Sequence, residues 1–223
     1  MPGAVEIKIC GLTNLEDARA AQSAGADFLG FVLYRRSPRG ITVGTLRRII
    51  DRLSGSPKVV GVFVNAPRNK VMRVAEDCGL FAVQFHGDES VDAAPAMPAV
   101  VWRAVRFCHG AASPLPEEWP AERYVLDATT PGVYGGTGIP VDWTAASALA
   151  RQYPVMLAGG LTPENVTDAM RRVHPLGVDV ASGVEKTPGK KDHQKIEAFI
   201  RAVRNCRKTG TQVLFGAGRS NES

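Results

Sequence analysis

The sequence lacks the features that mark several classes of protein. Its 223 residues include only four cysteines, which lie far apart and show no CxxC pair or other metal-ligand spacing. We therefore expect free thiols, no disulfide framework and no metal site. No apolar run approaches the roughly 20 residues that a membrane-spanning helix needs, and the N-terminus lacks the layout of a signal peptide. These absences favour a cytoplasmic protein with no membrane partner.

A concentrated basic surface is also missing. The formal net charge is +5, but the basic residues are scattered along the chain and do not form a stripe with interleaved aromatic residues. Such scattering argues against a nucleic-acid partner. A mild positive balance instead suits a small anionic substrate, which it would help to attract. Hydrophobic residues make up 44% of the chain, which is enough for a sizeable core.

Short apolar segments alternate with amphipathic ones along most of the chain. The pattern predicts strands at 5–10, 27–33, 58–64, 81–85, 100–105, 123–127, 155–158 and 178–181. Between and after them it predicts helices at 14–24, 43–53, 68–78, 143–151, 162–173 and 192–205, with a short one after residue 88. Alternation of this kind predicts an α/β fold, namely a single (β/α)₈ TIM barrel with parallel strands. Residues 107–121 are rich in Pro and Ala, so the fifth helix is expected to be short or irregular.

The same reading divides the chain into a catalytic barrel over residues 1–206 and a flexible C-terminal tail over residues 207–223. The tail follows the last predicted helix and is rich in Gly, Ser and Asn, a composition typical of unstructured extensions. Residues 130–140 are rich in glycine as well, and we expect them to form a mobile lid.

The first and last predicted strands test whether the sheet closes. Side chains alternate across a strand, so Lys8 should face the barrel interior while Ile7 and Ile9 face the helices. In the last strand Asp179 occupies the matching interior position. The two strands are neighbours only in a closed barrel, which predicts an ion pair between Lys8 and Asp179.

Glycine-rich loops follow the last two predicted strands. Gly159-Gly160 ends the seventh strand and Ser182-Gly183 follows the eighth. Glycine allows backbone N–H groups to approach a phosphate closely, and barrel enzymes commonly hold phosphate in these two loops. The alternative is that the glycines serve only tight turns. Their joint occurrence in this position favours a phosphorylated small-molecule substrate.

Four further side chains stand at the carboxyl ends of strands, where barrel enzymes place their active sites. Asp127 ends an apolar strand, which leaves its carboxyl group partly desolvated and suited to act as a general acid, although a capping role is the alternative. Cys10 ends the first strand opposite this acid, and an inert buried thiol is its alternative. Arg39 fits bidentate binding of a substrate carboxylate, and His86 either contacts the substrate or satisfies a buried hydrogen bond.

Together these segments resemble the phosphoribosylanthranilate isomerase family of tryptophan biosynthesis. The motifs that carry the resemblance extend from Lys8 to Asp192 in the expected order: KICGLTNLED at 8–17, SPR at 37–39, VQFHG at 83–87, LD at 126–127, GGTG at 135–138, AGGLTPEN at 158–165, VDVASGVE at 178–185 and PGKKD at 188–192. Val141 departs from the pattern, since a Phe is commoner before the Asp-Trp pair.

The resemblance implies an aldose–ketose isomerase that uses no metal and no cofactor. It implies that Asp127 protonates the ribose ring oxygen and that Cys10, as the thiolate, removes the C2′ proton. Arg39 would hold the anthranilate carboxylate, and Asp179 and His86 would contact the substrate. The phosphate would lie between Gly159-Gly160 and Ser182-Gly183. The protein would be a monomer or a homodimer.

Three other functions remain in competition at this point. The related isomerase of histidine biosynthesis performs the same rearrangement on another phosphoribosyl compound, but that family resembles a barrel with an Asp where this chain has Cys10. A Schiff-base aldolase would use Lys8, which the strand pattern places below the strand end. A phosphate-binding barrel without catalysis would have lost the acid or the base, and both are present.

Overall fold

Eight parallel strands close into a barrel in the computed structural model, which describes residues 4–108, 111–128 and 143–210. The barrel strands are β1 (Glu6–Ile9), β2 (Phe28–Val32), β3 (Lys58–Phe63), β4 (Ala82–Phe85), β5 (Val100–Cys108), β6 (Arg123–Ala128), β7 (Val155–Leu157) and β8 (Gly177–Val180). Successive strands pair in chain order, and β8 returns to pair with β1. The predicted parallel (β/α)₈ barrel is therefore confirmed.

Helices cover the outside of the barrel. In the described residues they are α1 (Leu15–Ala24), α2 (Val43–Ile50), α3 (Arg68–Asp77), α4 (Trp143–Ala150), α5 (Val166–Val173) and α6 (His193–Gly210), with 3₁₀ turns at Val91–Ala93 and Ser182–Val184. Helix α1 shows how the sequence sets these bounds: Asn14 Oδ1 accepts a hydrogen bond from Asp17 N at 2.8 Å, which caps the helix start. Gly25, at a φ of 96°, ends it in the left-handed conformation. None of the helices in the described segments has the length and apolar character to cross a membrane.

The connection from β5 to β6 is the irregular part of the barrel. Its described residues, 111–122, hold the strand Ala111–Ser113, which pairs antiparallel with β5, and a turn, but no α-helix. Pro114, Pro116 and Pro120 account for this, because proline lacks the N–H that a helix interior requires. The predicted weakness of the fifth helix is confirmed. The predicted lid at 130–140 lies outside the described residues and stays a prediction. Of the predicted tail at 207–223, residues 207–210 belong to the last helix, and the rest lies outside the described residues.

Three predicted helix bounds differ from the structure by three residues or more. The helix predicted at 43–53 ends at Ile50, and the helix predicted at 162–173 begins at Val166. Residues 162–165 form a capped turn, in which the Asn165 side chain accepts from Thr162 N at 2.8 Å and Thr162 Oγ1 accepts from Glu164 N. The last helix runs to Gly210, beyond the predicted end at residue 205.

The barrel interior has an apolar floor and a polar layer above it. Phe28, Trp102 and Met156 belong to the buried cluster of the floor. Above it Lys8 is fully buried, and its Nζ lies 2.8 Å from Asp179 Oδ2. The predicted ion pair is confirmed. It joins the first strand to the last, which are paired at the register Lys8↔Asp179.

Lys8→Met is expected to lower the free energy of unfolding by about 3–5 kcal/mol, because it leaves the Asp179 carboxylate buried without its partner. Urea denaturation measures this loss. Arg171→Met is the matched control, since it breaks an ion pair with Asp168 in which both side chains are more than half exposed; it should change stability far less. A loss below about 1 kcal/mol for Lys8→Met would contradict a stabilising role for the buried pair.

Candidate active site

A cavity of about 450 Å³ opens at the carboxyl ends of the strands. It is large enough for a small organic substrate. Every predicted site residue except Gly183 lines it, namely Cys10, Arg39, His86, Asp127, Gly159, Gly160, Asp179 and Ser182. The residues that the sequence predicted for the site therefore lie around one cavity, although they come from six different strand ends.

Cys10 follows β1 and is held there by the barrel itself. Its backbone N–H donates to Val180 O at 2.8 Å, which continues the pairing of β1 with β8. Gly30, on the neighbouring strand, leaves the space that the thiol occupies. A Cβ at Gly30 would lie 3.1 Å from Cys10 Sγ and 2.9 Å from Lys8 Cε. The absent side chain thus allows the thiol and the lysine to share one corner of the cavity.

The ionisation of Cys10 reflects two opposing influences. Burial raises the pKa of the thiol, because it disfavours the charged form. Lys8, which also hydrogen-bonds the sulfur, and Lys191 lower it, whereas the Asp179 carboxylate raises it, and the net pKa stays above the ordinary value. The group is therefore mainly a thiol at neutral pH, and its thiolate, once formed, is a strong base.

Asp127 lies near the end of β6 with its side chain 8% exposed. Its Oδ2 is 3.3 Å from Nε2 of His86, the residue that follows β4. His86 Nδ1 in turn lies 2.9 Å from Nε2 of Gln84. An amide, an imidazole and a carboxyl group therefore form a row along the cavity wall.

Asp179 uses only one of its carboxylate oxygens in the barrel interior. Oδ2 pairs with Lys8, whereas Oδ1 is buried and has no hydrogen-bond partner in the described part of the chain. A buried acceptor without a donor is unfavourable. Since Asp179 also lines the cavity, a hydroxyl or amine of a bound molecule could supply the missing donor.

Arg39 is part of a buried charge cluster. Its Nε and Nη2 donate to the two oxygens of Glu185, each at 2.8 Å. Lys191 Nζ donates to the same carboxylate at 3.0 Å. Burial alone would raise the pKa of Glu185, but Arg39 and Lys191 outweigh it and hold that pKa below its usual value. The guanidinium is thereby fixed in place, and Nη1 is the nitrogen that Glu185 does not engage.

A glycine makes room for this arginine. Gly11 has a φ of 73°, and a Cβ there would lie 2.5 Å from Arg39 Cδ. A larger residue would therefore face both a strained backbone and a clash. The position beside Cys10 thus needs glycine so that Arg39 can lie across the loop that follows β1.

The loops after β7 and β8 pack closely against each other. Gly159 and Gly160 both have a positive φ, 80° and 66°. Asn165 Nδ2 donates to Gly160 O at 2.9 Å and fixes the first loop. Gly183 lies behind the cavity wall, because a Cβ there would come within 1.8 Å of Leu161 O. Its role is close backbone packing between the two loops, while Ser182 reaches the cavity.

Sequence reasoning missed three polar residues of this region, Gln84, Glu185 and Lys191. Glu185 and Lys191 stood in recognised motifs but were given no role, since nothing local indicates which distant partner each one meets. Gln84 precedes His86 by two residues and therefore shares its side of the strand, but an amide there does not show whether it faces a cavity. Arg36 is exposed, and it also reaches the edge of the cavity.

Comparison with known proteins identifies the family. Residues 7–202 match the family model for N-(5′-phosphoribosyl)anthranilate isomerase. The chain belongs to this family. The N-(5′-phosphoribosyl)anthranilate isomerase of Pelobacter propionicus is 41% identical over 208 residues, which cover 93% of this chain and 100% of that protein.

Solved structures of the isomerase family agree with the barrel. The phosphoribosyl anthranilate isomerase of Thermus thermophilus is 35% identical and superposes with a TM-score of 0.80, covering 90% of this chain and 99% of that one. A second isomerase structure, 36% identical with a TM-score of 0.77 and the same coverage, holds reduced 1-(o-carboxyphenylamino)-1-deoxyribulose 5-phosphate. A phosphorylated compound is thus the ligand of a structural relative.

Proposed function

We propose that this chain isomerises N-(5′-phosphoribosyl)anthranilate to 1-(2-carboxyphenylamino)-1-deoxyribulose 5-phosphate in tryptophan biosynthesis. The observation that carries the proposal is the placement of one thiol and one carboxyl group, Cys10 and Asp127, in a single cavity beside two glycine-containing loops. An aldose–ketose rearrangement needs one acid and one base, and these two groups supply them.

Asp127 is the proposed acid. Its proton passes to the ribose ring oxygen, the ring opens, and the anthranilate nitrogen supplies the electron pair that forms a Schiff base at C1′. Burial of the carboxyl group supports this role, because the low exposure keeps competing water away from the proton. The carboxylate that remains lies beside His86 Nε2.

Cys10 is the proposed base. Its thiolate removes the C2′ proton, and the electron pair of that C–H bond moves to give an enolamine, which tautomerises to the ketone. The positive charge of Lys8, on the same strand, stabilises the Cys10 thiolate, and so does the charge of Lys191 in the segment after β8. The buried thiolate also gains basicity from its surroundings, as the upward displacement of its pKa indicates.

The remaining residues are proposed to hold the two ends of the substrate. Arg39, fixed by Glu185, would present Nη1 to the anthranilate carboxylate. The N–H groups of Gly159 and Gly160 take no part in the backbone hydrogen bonds found among the described residues, so they are available to a phosphate. Asp179 Oδ1 would accept from a ribose hydroxyl. The proposed proton transfers use only side chains of the protein.

Turnover itself is the direct test. Adding the full chain to N-(5′-phosphoribosyl)anthranilate is expected to remove the fluorescence of that compound with saturation kinetics. The matched control is the Cys10→Ala, Asp127→Asn double variant, which should leave the signal unchanged apart from spontaneous decay. Failure of the wild-type chain in this assay would contradict the proposal, and activity on the phosphoribosyl substrate of histidine biosynthesis instead would identify the alternative reaction.

The wider setting of the enzyme stays predicted. The sequence predicts a cytoplasmic protein whose partner is a small phosphorylated molecule and not nucleic acid. The family resemblance predicts a monomer or a homodimer. Size-exclusion chromatography with light scattering distinguishes these two states.

A further inference from the structure

Gln84 is a buried polar side chain that the proposed reaction does not use. It lies on β4 at 1% exposure and lines the cavity. Its Nε2 is 2.9 Å from His86 Nδ1. An amide nitrogen can only donate, so Nδ1 must accept, and a neutral imidazole then carries its proton on Nε2.

The surroundings of His86 support this orientation of the amide. If the amide oxygen faced Nδ1, the imidazole proton would sit on Nδ1 and the lone pair of Nε2 would face Asp127 Oδ2. Two acceptors would then meet at 3.3 Å when Asp127 is ionised. With Nε2 of Gln84 facing Nδ1, an N–H group meets that oxygen instead. Once Asp127 is ionised, the contacts on both sides of the ring therefore favour the same tautomer.

The contact between His86 and Asp127 is longer than a well-formed hydrogen bond. Nε2 of His86 is buried and lacks a well-aligned hydrogen bond within the described chain, although the carboxylate is at ion-pair distance. Contacts of this kind often shorten when charge develops during a reaction. Here the charge develops on Asp127, which is neutral before it gives up its proton and negative afterwards.

We propose that Gln84 is a positioning residue that holds His86 as the Nε2–H tautomer, so that His86 stabilises the negative charge that grows on Asp127 as it protonates the substrate. The interaction is stronger in the transition state than in the bound substrate complex, and such interactions raise kcat. His86 thus acts on the catalytic acid. This inference rests on the proposed role of Asp127.

The carbonyl oxygen of the Gln84 amide is consistent with this orientation of the side chain. Gln84 Oε1 is buried and has no hydrogen-bond partner in the described residues. Since Gln84 lines the cavity, a ribose hydroxyl that donates to Oε1 would keep the amide nitrogen directed at His86. Substrate binding would then fix the amide in the orientation that the reaction needs.

The tautomer can be measured in the wild-type chain. The sequence has four histidines, and His86 is assigned by the signals that disappear in His86→Ala. In ¹⁵N-labelled protein at a pH where His86 is neutral, its ring signals are expected to show a protonated Nε2 and an unprotonated Nδ1. A proton on Nδ1 would overturn the proposal. Because this measurement needs only the intact chain, it stands even where a variant folds poorly.

Kinetics test whether Gln84 acts through His86. His86→Ala should lower kcat about 10²-fold, as expected for loss of one donor to a developing charge. Gln84→Leu should lower kcat about three- to tenfold, the effect of one lost hydrogen bond to His86, and it should also raise KM, because the substrate loses its contact with Oε1. In the His86→Ala background, Gln84→Leu should have no further effect on kcat.

Two outcomes of this cycle contradict the proposal: an equal effect of Gln84→Leu in both backgrounds, and an effect confined to KM. Met156→Leu is the control for general disturbance of the barrel interior, since Met156 is equally buried but belongs to the apolar floor. Failure of the proposed function is distinguishable, because the wild-type chain would then show no turnover at all. Failure of this inference leaves wild-type turnover intact.

Discussion

Asp127→Asn is expected to lower kcat by about 10³-fold while the chain stays folded, a loss within the range for removal of a general acid. Asn has the size of Asp but no acidic proton, so the substrate ring oxygen loses its donor. Substrate binding should change little, because the contacts of Arg39 and of the phosphate loops are untouched. Steady-state kinetics measures kcat and KM separately, and circular dichroism reports whether the barrel is intact.

Asp168→Asn is the matched control for this change. Asp168 lies on α5 with a side chain 64% exposed, and it does not line the cavity. The same chemical change there should leave kcat within about twofold of the wild type, as is usual for surface substitutions. An Asp127→Asn chain that is folded and keeps more than a tenth of wild-type kcat would exclude Asp127 as the acid.

Cys10→Ser is expected to lower kcat by at least about 10²-fold, because the serine hydroxyl does not ionise in the working pH range and cannot serve as the base. Serine is close in size to cysteine, so the space beside Gly30 remains filled. The matched control is Cys206→Ser, which changes a half-buried cysteine on α6 outside the cavity. Near-normal turnover of the Cys10→Ser chain would exclude the Cys10 thiolate as the base.

The same role gives a pH dependence with a definite sign. Burial holds the pKa of Cys10 above its ordinary value, and the base works only when deprotonated. The rate at which iodoacetamide alkylates Cys10 in the free enzyme should therefore rise with pH from neutral into the alkaline range. An alkylation rate that stays level across this range would contradict a raised pKa for this thiol.

Much of the fold could be predicted because the relevant signals are local. The alternation of Lys8 with Ile7 and Ile9 gave the interior face of β1, and the same reading of β8 gave its ion-pair partner. The prolines between β5 and β6 showed that no regular helix would fit there. The start of α5 was harder, because Thr162 and Asn165 exchange the hydrogen bonds of a helix start, whereas the regular helix begins only at Val166.

The active site could be predicted to the level of strand ends and no further. Strand ends meet at one rim, so Cys10, His86 and Asp127 were expected together. The pairing of Arg39 with Glu185 joins residues 146 positions apart, and no short-range pattern encodes it. Gln84 lies inside a strand, where an amide gives no sign of whether it faces a cavity or only fills the interior.

The ion pair between Lys8 and Asp179 has a consequence for synthesis of the chain on the ribosome. Lys8 and Cys10 are translated long before their neighbours in the cavity from β8, since Asp179 follows Lys8 by 171 residues. Until β8 is made, β1 has one unpaired edge and Lys8 lacks its counter-ion. A nascent chain therefore has no complete site before the last strand joins the first.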